Sequence, residues 1–137
     1  MRKPTKKSLT KRLDTAWSEL IRSRGACQKC GKKTNLQAAH IWTRARRSTR
    51  WLPLNGLCLC AGCHQFWAHK EPILFTQFAN NILGDIKFKL LQQQAETIKK
   101  WTLNEMQDLL KELENPESSM SAPLYGLTPN IPGKKKR

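Results

Sequence analysis

Residues 57–64 read LCLCAGCH. Cys60 and Cys63 form a C-x2-C turn, which brings two thiolates close enough to share one metal ion. A matching half lies upstream in Cys27-Gln28-Lys29-Cys30-Gly31. Together the four thiolates complete a tetrahedral site of the kind zinc occupies. The intervening residues 31–59 exceed the roughly 15–20 residues of a compact four-cysteine finger, so something is inserted between the two turns. Cys58 stands at odd spacing from the pair and reads as a small buried residue in a short strand. His64 follows the second turn directly, so the stretch raises a choice between a spare ligand and a residue with its own chemistry.

The chain of 137 residues is enough for one domain with a modest core. It carries 25 Lys and Arg against 10 Asp and Glu, a net charge of +15. The positive charge clusters at residues 2–12, 44–50 and 134–137, which points to a polyanionic partner, nucleic acid above all. No apolar run approaches the roughly 18–20 residues of a membrane span, and MRKPTKKSLTKR has no apolar stretch of a secretory signal. A reducing cytoplasm is therefore expected, where paired cysteines bind metal more often than they form disulfides. Five cysteines, an odd count, point the same way.

Outside the cysteine region the pattern is helical. Residues 1–8 read as a basic arm, with Ser8 capping a helix from about 9 to 23 whose apolar face is Leu9, Leu13, Trp17, Leu20 and Ile21. Residues 26–69 lack regular periodicity and hold every cysteine and histidine, so a metal is expected to order them. Further helices are expected at about 72–82, ended by Gly84, and at 85–100. Thr102-Leu-Asn-Glu105 is a capping-box pattern that opens a last helix, stopped at Asn115-Pro116. These later helices are expected to pack on the first and can support a homodimer. Residues 116–137, rich in proline and ending in KKKR, read as a disordered basic tail, leaving 9–115 as the folded domain.

Within the long gap sit Ala38-Ala39-His40-Ile41 and then Asn55 in Pro53-Leu54-Asn55-Gly56, ahead of His64. A histidine among apolar residues, then Asn, then Cys-His at a C-x2-C turn, resembles the HNH endonuclease signature of the ββα-metal, or His-Me finger, fold. The resemblance implies a small α+β fold: an HNH core stapled by a four-cysteine zinc site and flanked by helices. It makes His40, at the end of the first hairpin strand, the general base that takes a proton from water. Asn55 fixes His40 by hydrogen bonding, and His64, on the following helix, holds a catalytic divalent metal, Mg2+ or Mn2+. Many members carry a second metal ligand where this chain has Ala39, so His64 is expected to share the ion with another group or with water and phosphate. His69 is a candidate helper.

The chemistry suits those residue types: phosphodiester hydrolysis needs a base, and histidine in that role typically contributes about 10²–10⁴ in rate. It also needs a cation on the phosphate and leaving oxygen. Between His40 and Asn55, the segment Trp42-Thr43-Arg44-Ala45-Arg46-Arg47-Ser48-Thr49-Arg50-Trp51 offers four guanidinium forks to phosphate, with Trp51 expected to pack inward. Arg44, Arg46, Arg47 and Arg50 are accordingly expected to face DNA. Arg12-Leu13-Asp14, Trp17-Ser18-Glu19-Leu20-Ile21-Arg22, Ala39-His40, Thr43-Arg44, Ser48-Thr49-Arg50-Trp51 and Asn55 also resemble the phage NinG/Rap recombination nucleases over about residues 9–80. That resemblance implies a phage-encoded endonuclease acting on branched or recombining DNA in the host bacterial cytoplasm. The rival expectation is a non-catalytic zinc-containing module that binds nucleic acid, its site decayed at Ala39.

Overall fold

A computed structural model describes residues 3–115; the basic tail expected at 116–137 lies outside the described residues. The centre of the fold is an antiparallel hairpin of β1 (Leu36–His40) and β2 (Gly56–Cys60). Every residue of β2 is buried, which explains why Gly-Leu-Cys-Leu-Cys shows no polar alternation: both faces of the strand are covered. In register, His40 faces Gly56, Ala38 faces Cys58 and Ala39 faces Leu57. Cross-strand partners share a face, so His40, Gly56, Ala38 and Cys58 look one way and Ala39 and Leu57 the other.

On the first face lies α1 (Lys6–Arg22), whose Leu9, Leu13, Ala16, Trp17 and Ile21 recur at helical spacing. They pack with Cys58, Trp51 and the stripe Met106, Leu109, Leu110 and Leu113 of the last helix. Cys58 is thus core, as its spacing suggested. The helix starts earlier than expected. Thr5, not Ser8, is the N-cap, and Ser8 is the reciprocal partner three residues in: each side-chain oxygen accepts the other's backbone N–H at 3.0 Å. Residues 6–8 therefore belong to the helix rather than to an arm.

The opposite face holds the cysteine turns, a helical turn over Cys63–Ala68 and α2 (Pro72–Leu83), with Leu57, Leu59, Ala39, Phe75 and Ala79 as its core. Gly84, at φ 88°, ends α2 in a conformation that side chains disfavour. Next, α3 (Asp85–Ala95) covers the loop through Leu91 against Leu52. It stops well short of residue 100. The Gln94 carbonyl accepts from Ser48 Oγ at 2.6 Å and the Ala95 carbonyl from Arg46 Nη1 at 3.1 Å, so the loop caps the helix.

The last helix, α4 (Leu103–Glu114), carries the expected capping box of Thr102 and Glu105. Of the later helices, α4 joins the α1 core while α2 and α3 pack beyond the hairpin, which corrects the expectation that all would lie on the first helix. The result is a small α+β fold with a two-stranded sheet as the middle layer. Among the described residues no helix is long and apolar enough to cross a membrane.

Gly56 sets how closely α1 approaches the hairpin. A Cβ there would lie 2.7 Å from Ile21 Cδ1 and 2.7 Å from Trp17 Cζ2, closer than packed carbons tolerate. Gly56→Ala is expected to cost about 1–3 kcal/mol by overpacking, read as a lower urea midpoint at unchanged m-value.

Candidate active site

The two C-x2-C turns meet. The thiols of Cys27, Cys30, Cys60 and Cys63 all lie within 4.8 Å of one another, and Cys30 Sγ is 3.7 Å from Cys60 Sγ. A tetrahedral Zn–S4 site with bonds of about 2.3 Å has sulfur–sulfur edges of about 3.8 Å, so the four can hold a metal ion such as zinc. Each turn is built alike. Cys30 N–H points at Cys27 Sγ (3.4 Å) and Cys63 N–H at Cys60 Sγ (3.5 Å), donors that favour thiolate. Gly31, at φ 85°, donates its N–H to the Cys27 carbonyl at 2.8 Å and closes the first turn.

The thiols differ in acidity. Burial raises Cys27, but backbone N–H donors outweigh it and hold it at about 6. Cys63 is pushed up to about 12, first by burial and then by the neighbouring thiols. Four thiols this close resist joint ionisation, and a bound divalent cation reverses that.

His40 is the last residue of β1. Its ring stacks on Trp17 at 4.0 Å and 13°. Its Nε2 lies 3.0 Å from the Arg50 carbonyl oxygen. A carbonyl only accepts, so Nε2 carries the proton and Nδ1 keeps its lone pair. Burial, offset in part by this bond and by Asp14 and reinforced by Arg44 and Arg50, lowers the pKa to about 4. The imidazole is neutral at physiological pH.

Asn55 does not hydrogen-bond the His40 ring, contrary to expectation. Fully buried, it accepts from Trp42 N–H at 2.7 Å and donates to the carbonyls of Trp42 and Thr49, both at 3.0 Å. Its own main-chain carbonyl accepts from Ile41 N–H at 2.9 Å. Asn55 therefore staples the 42–55 loop closed, and the loop in turn presents the Arg50 carbonyl to His40.

Of the four arginines, three are exposed and one is not available. Arg50 places Nε and Nη2 on the two oxygens of Asp14, at 3.0 and 2.8 Å, with 15% of its side chain exposed. Its expected place on a DNA-facing surface is corrected accordingly: a carboxylate of α1 already fills its fork. Arg44, Arg46 and Arg47 are exposed, with Arg46 over the Trp42 ring and Arg47 over the Trp51 ring. Trp51 packs inward as expected.

His64 lies on the other face. Its Nδ1 is 2.7 Å from Gln37 Oε1, so Nδ1 donates and Nε2 is left as the lone-pair nitrogen. The turn that follows is π-helical: His69 N–H donates to the His64 carbonyl at 3.3 Å, five residues back. That winding puts the His64 and His69 rings edge to face at 4.6 Å. Burial, then repulsion from His69, lowers the His64 pKa and favours the neutral ligand form. His40 and His64 are not side by side. His64 bonds Gln37, three residues before His40 on β1, while His40 packs on Trp17 of α1.

Comparison with protein-family models, with curated proteins and with solved structures returned no match.

Folded His40 titrates near 4 and an unfolded histidine near 6.5, so the unfolded chain binds more protons between these values. Stability from this group is full above about 6.5 and is lost as pH falls through 4, at most ~1.4 kcal/mol per pH unit. Urea unfolding of wild type and His40→Gln at pH 7 and pH 5 checks this. The variant is expected to lose less stability on acidification; an equal loss in both refutes the assignment.

Proposed function

We propose that the protein is a metal-dependent DNA endonuclease of the HNH type, acting in DNA recombination or processing. The observation that carries the reading is the His40 ring. It ends a hairpin strand, is clamped by Trp17, and is fixed by the Arg50 carbonyl with Nδ1 as the free base. Nδ1 takes the proton of the attacking water. Asn55 acts at one remove, by holding the loop that supplies the Arg50 carbonyl. Arg44, Arg46 and Arg47 bind the phosphate backbone, with two of the guanidiniums laid over indole rings.

His64 and His69 are the candidate holders of the catalytic Mg2+ or Mn2+, which supplies charge stabilisation on the phosphate and the leaving oxygen. Gln37 orients His64 as a ligand's outer partner does. Cys27, Cys30, Cys60 and Cys63 hold a structural zinc, which pins the start of the turn bearing His64.

One observation favours a second reading. Ala39, where a metal ligand would face His64, is buried against Leu57 and Leu59 instead. A non-catalytic zinc-containing nucleic-acid-binding module, with the same charge and fold, fits that packing.

Nicking of supercoiled plasmid and of branched DNA with Mg2+ or Mn2+ decides between them. His40→Ala is expected to lose about 10²-fold or more in rate, with DNA binding retained. Equal rates in both proteins would sink the mechanism. Salt-sensitive binding without cleavage, across metals and substrates, establishes the second reading.

The zinc assignment predicts one zinc per chain by metal analysis. Cys30 is exposed, so Cys30→Ser removes a ligand at little packing cost. The variant is expected to bind zinc more weakly and melt at lower temperature; zinc-free wild-type protein with an unchanged melt contradicts it.

A further inference from the structure

Asp14 sits one turn before Trp17 on α1, and both reach the 42–55 loop. Asp14 Oδ1 accepts from Arg50 Nε at 3.0 Å and from Trp51 Nε1 at 2.7 Å, while Oδ2 accepts from Arg50 Nη2 at 2.8 Å. Both carboxylate oxygens are engaged by the planar guanidinium, which fixes Arg50 in orientation as well as distance. The main chain of that same residue carries the carbonyl that receives His40 Nε2–H at 3.0 Å. Trp51, the next residue, is buried and held by the third bond. The carboxylate therefore grips two consecutive side chains beside the one carbonyl that determines which His40 nitrogen is free.

We infer that Asp14 is a positioning residue for His40: by anchoring Arg50 and Trp51 it sets the Arg50 carbonyl, and so selects the Nε2–H tautomer and the ring orientation. The functional meaning rests on His40 being the base of the proposed nuclease; the structural content does not. Burial would raise the Asp14 carboxyl, but the bonds from Arg50 and Trp51 outweigh it and hold the group below the usual carboxylate range. Asp14 is thus ionised wherever the protein is folded near neutral pH. The charged groups bearing on His40 are Arg44, Asp14 and Arg50. Asp14→Asn removes the one anion among these three and leaves a neutral amide that can no longer accept a charged fork on two oxygens.

A bridge that only tied α1 to the loop would alter melting and nothing more. The discriminating readout is the imidazole tautomer, taken from ¹⁵N chemical shifts of the histidine rings in the zinc-loaded full chain at pH 7. Wild type is expected to show His40 protonated at Nε2. Asp14→Asn is expected to show mixed tautomers, and cleavage with kcat lowered roughly tenfold or more at nearly constant KM, because Asp14 touches no substrate. An unchanged His40 tautomer in Asp14→Asn overturns the inference. A wild type that cuts no DNA, with the tautomer still lost in the variant, overturns the nuclease reading and leaves the positioning role standing. Where Asp14→Asn does not fold, Arg50→Lys decides in its place. An ammonium cannot engage both oxygens as a fork does, so mixed tautomers are again expected and an unmixed ring overturns the inference.

Discussion

The packing of Trp17 is the contact on which the rest depends. One indole face covers His40 at 4.0 Å, the benzo edge stands over Gly56, and Nε1 donates to the Leu52 carbonyl at 2.7 Å. A single side chain thus touches the end of β1, the start of β2 and the loop between them. None of these contacts forms unless α1 lies almost on the hairpin backbone, which the missing Cβ of Gly56 permits. Asp14, Trp17 and Ile21 follow one another at three and four residues, so one stripe of α1 reaches the loop, the histidine and the strand together. Burying a large indole in this way contributes hydrophobic stabilisation of about 2–3 kcal/mol. Its N–H is satisfied, so that gain is not cancelled by an unpaired donor.

What could be read in the sequence was what local geometry determines. Two C-x2-C turns impose their own shape, so the convergence of Cys27, Cys30, Cys60 and Cys63 followed from spacing. The capping box at Thr102 and the stop at Gly84 are likewise properties of a few adjacent residues. Elements fixed by distant partners were not legible. The early end of α3 depends on Arg46 and Ser48, nearly fifty residues away. A charge count cannot separate Arg50, folded onto Asp14, from Arg44, which faces solvent. Asn55 was singled out as the residue that bonds His40, yet its partners are backbone groups of a loop whose closure no pattern encodes. His69 was named only as a candidate helper, because α-helical spacing does not place it beside His64. Five α-helical steps place a residue about 140° from its starting face, and only the π-helical winding turns His69 toward His64.

The electrostatics of the site follow from the same arrangement. A chain of net charge +15 would ordinarily hold its surplus apart. Here Arg46 and Arg47 rest over Trp42 and Trp51, so two guanidiniums are oriented before any partner arrives. Under the proposed function that would lower the entropy cost of gathering them around a phosphate. Arg50, by contrast, is neutralised by Asp14 and spends its charge on architecture, which keeps a cation from crowding the imidazole unopposed.

Burial lowers the His40 pKa most; the bond to the Arg50 carbonyl opposes it, Arg44 adds to it, and Asp14 offsets Arg50, with the neutral ring as the net result. A neutral imidazole is the form that accepts a proton, but one with a pKa near 4 is a weak base at pH 7. Under the proposed function the substrate corrects this. A phosphodiester brought against Arg44 offsets the cation that depresses His40, and its own negative charge favours the imidazolium. On that reading base strength would rise on DNA binding, while the Arg50 carbonyl keeps Nδ1 as the nitrogen that would receive the proton. On the same reading the arginine loop would serve catalysis by placing that charge beside His40, as well as by binding.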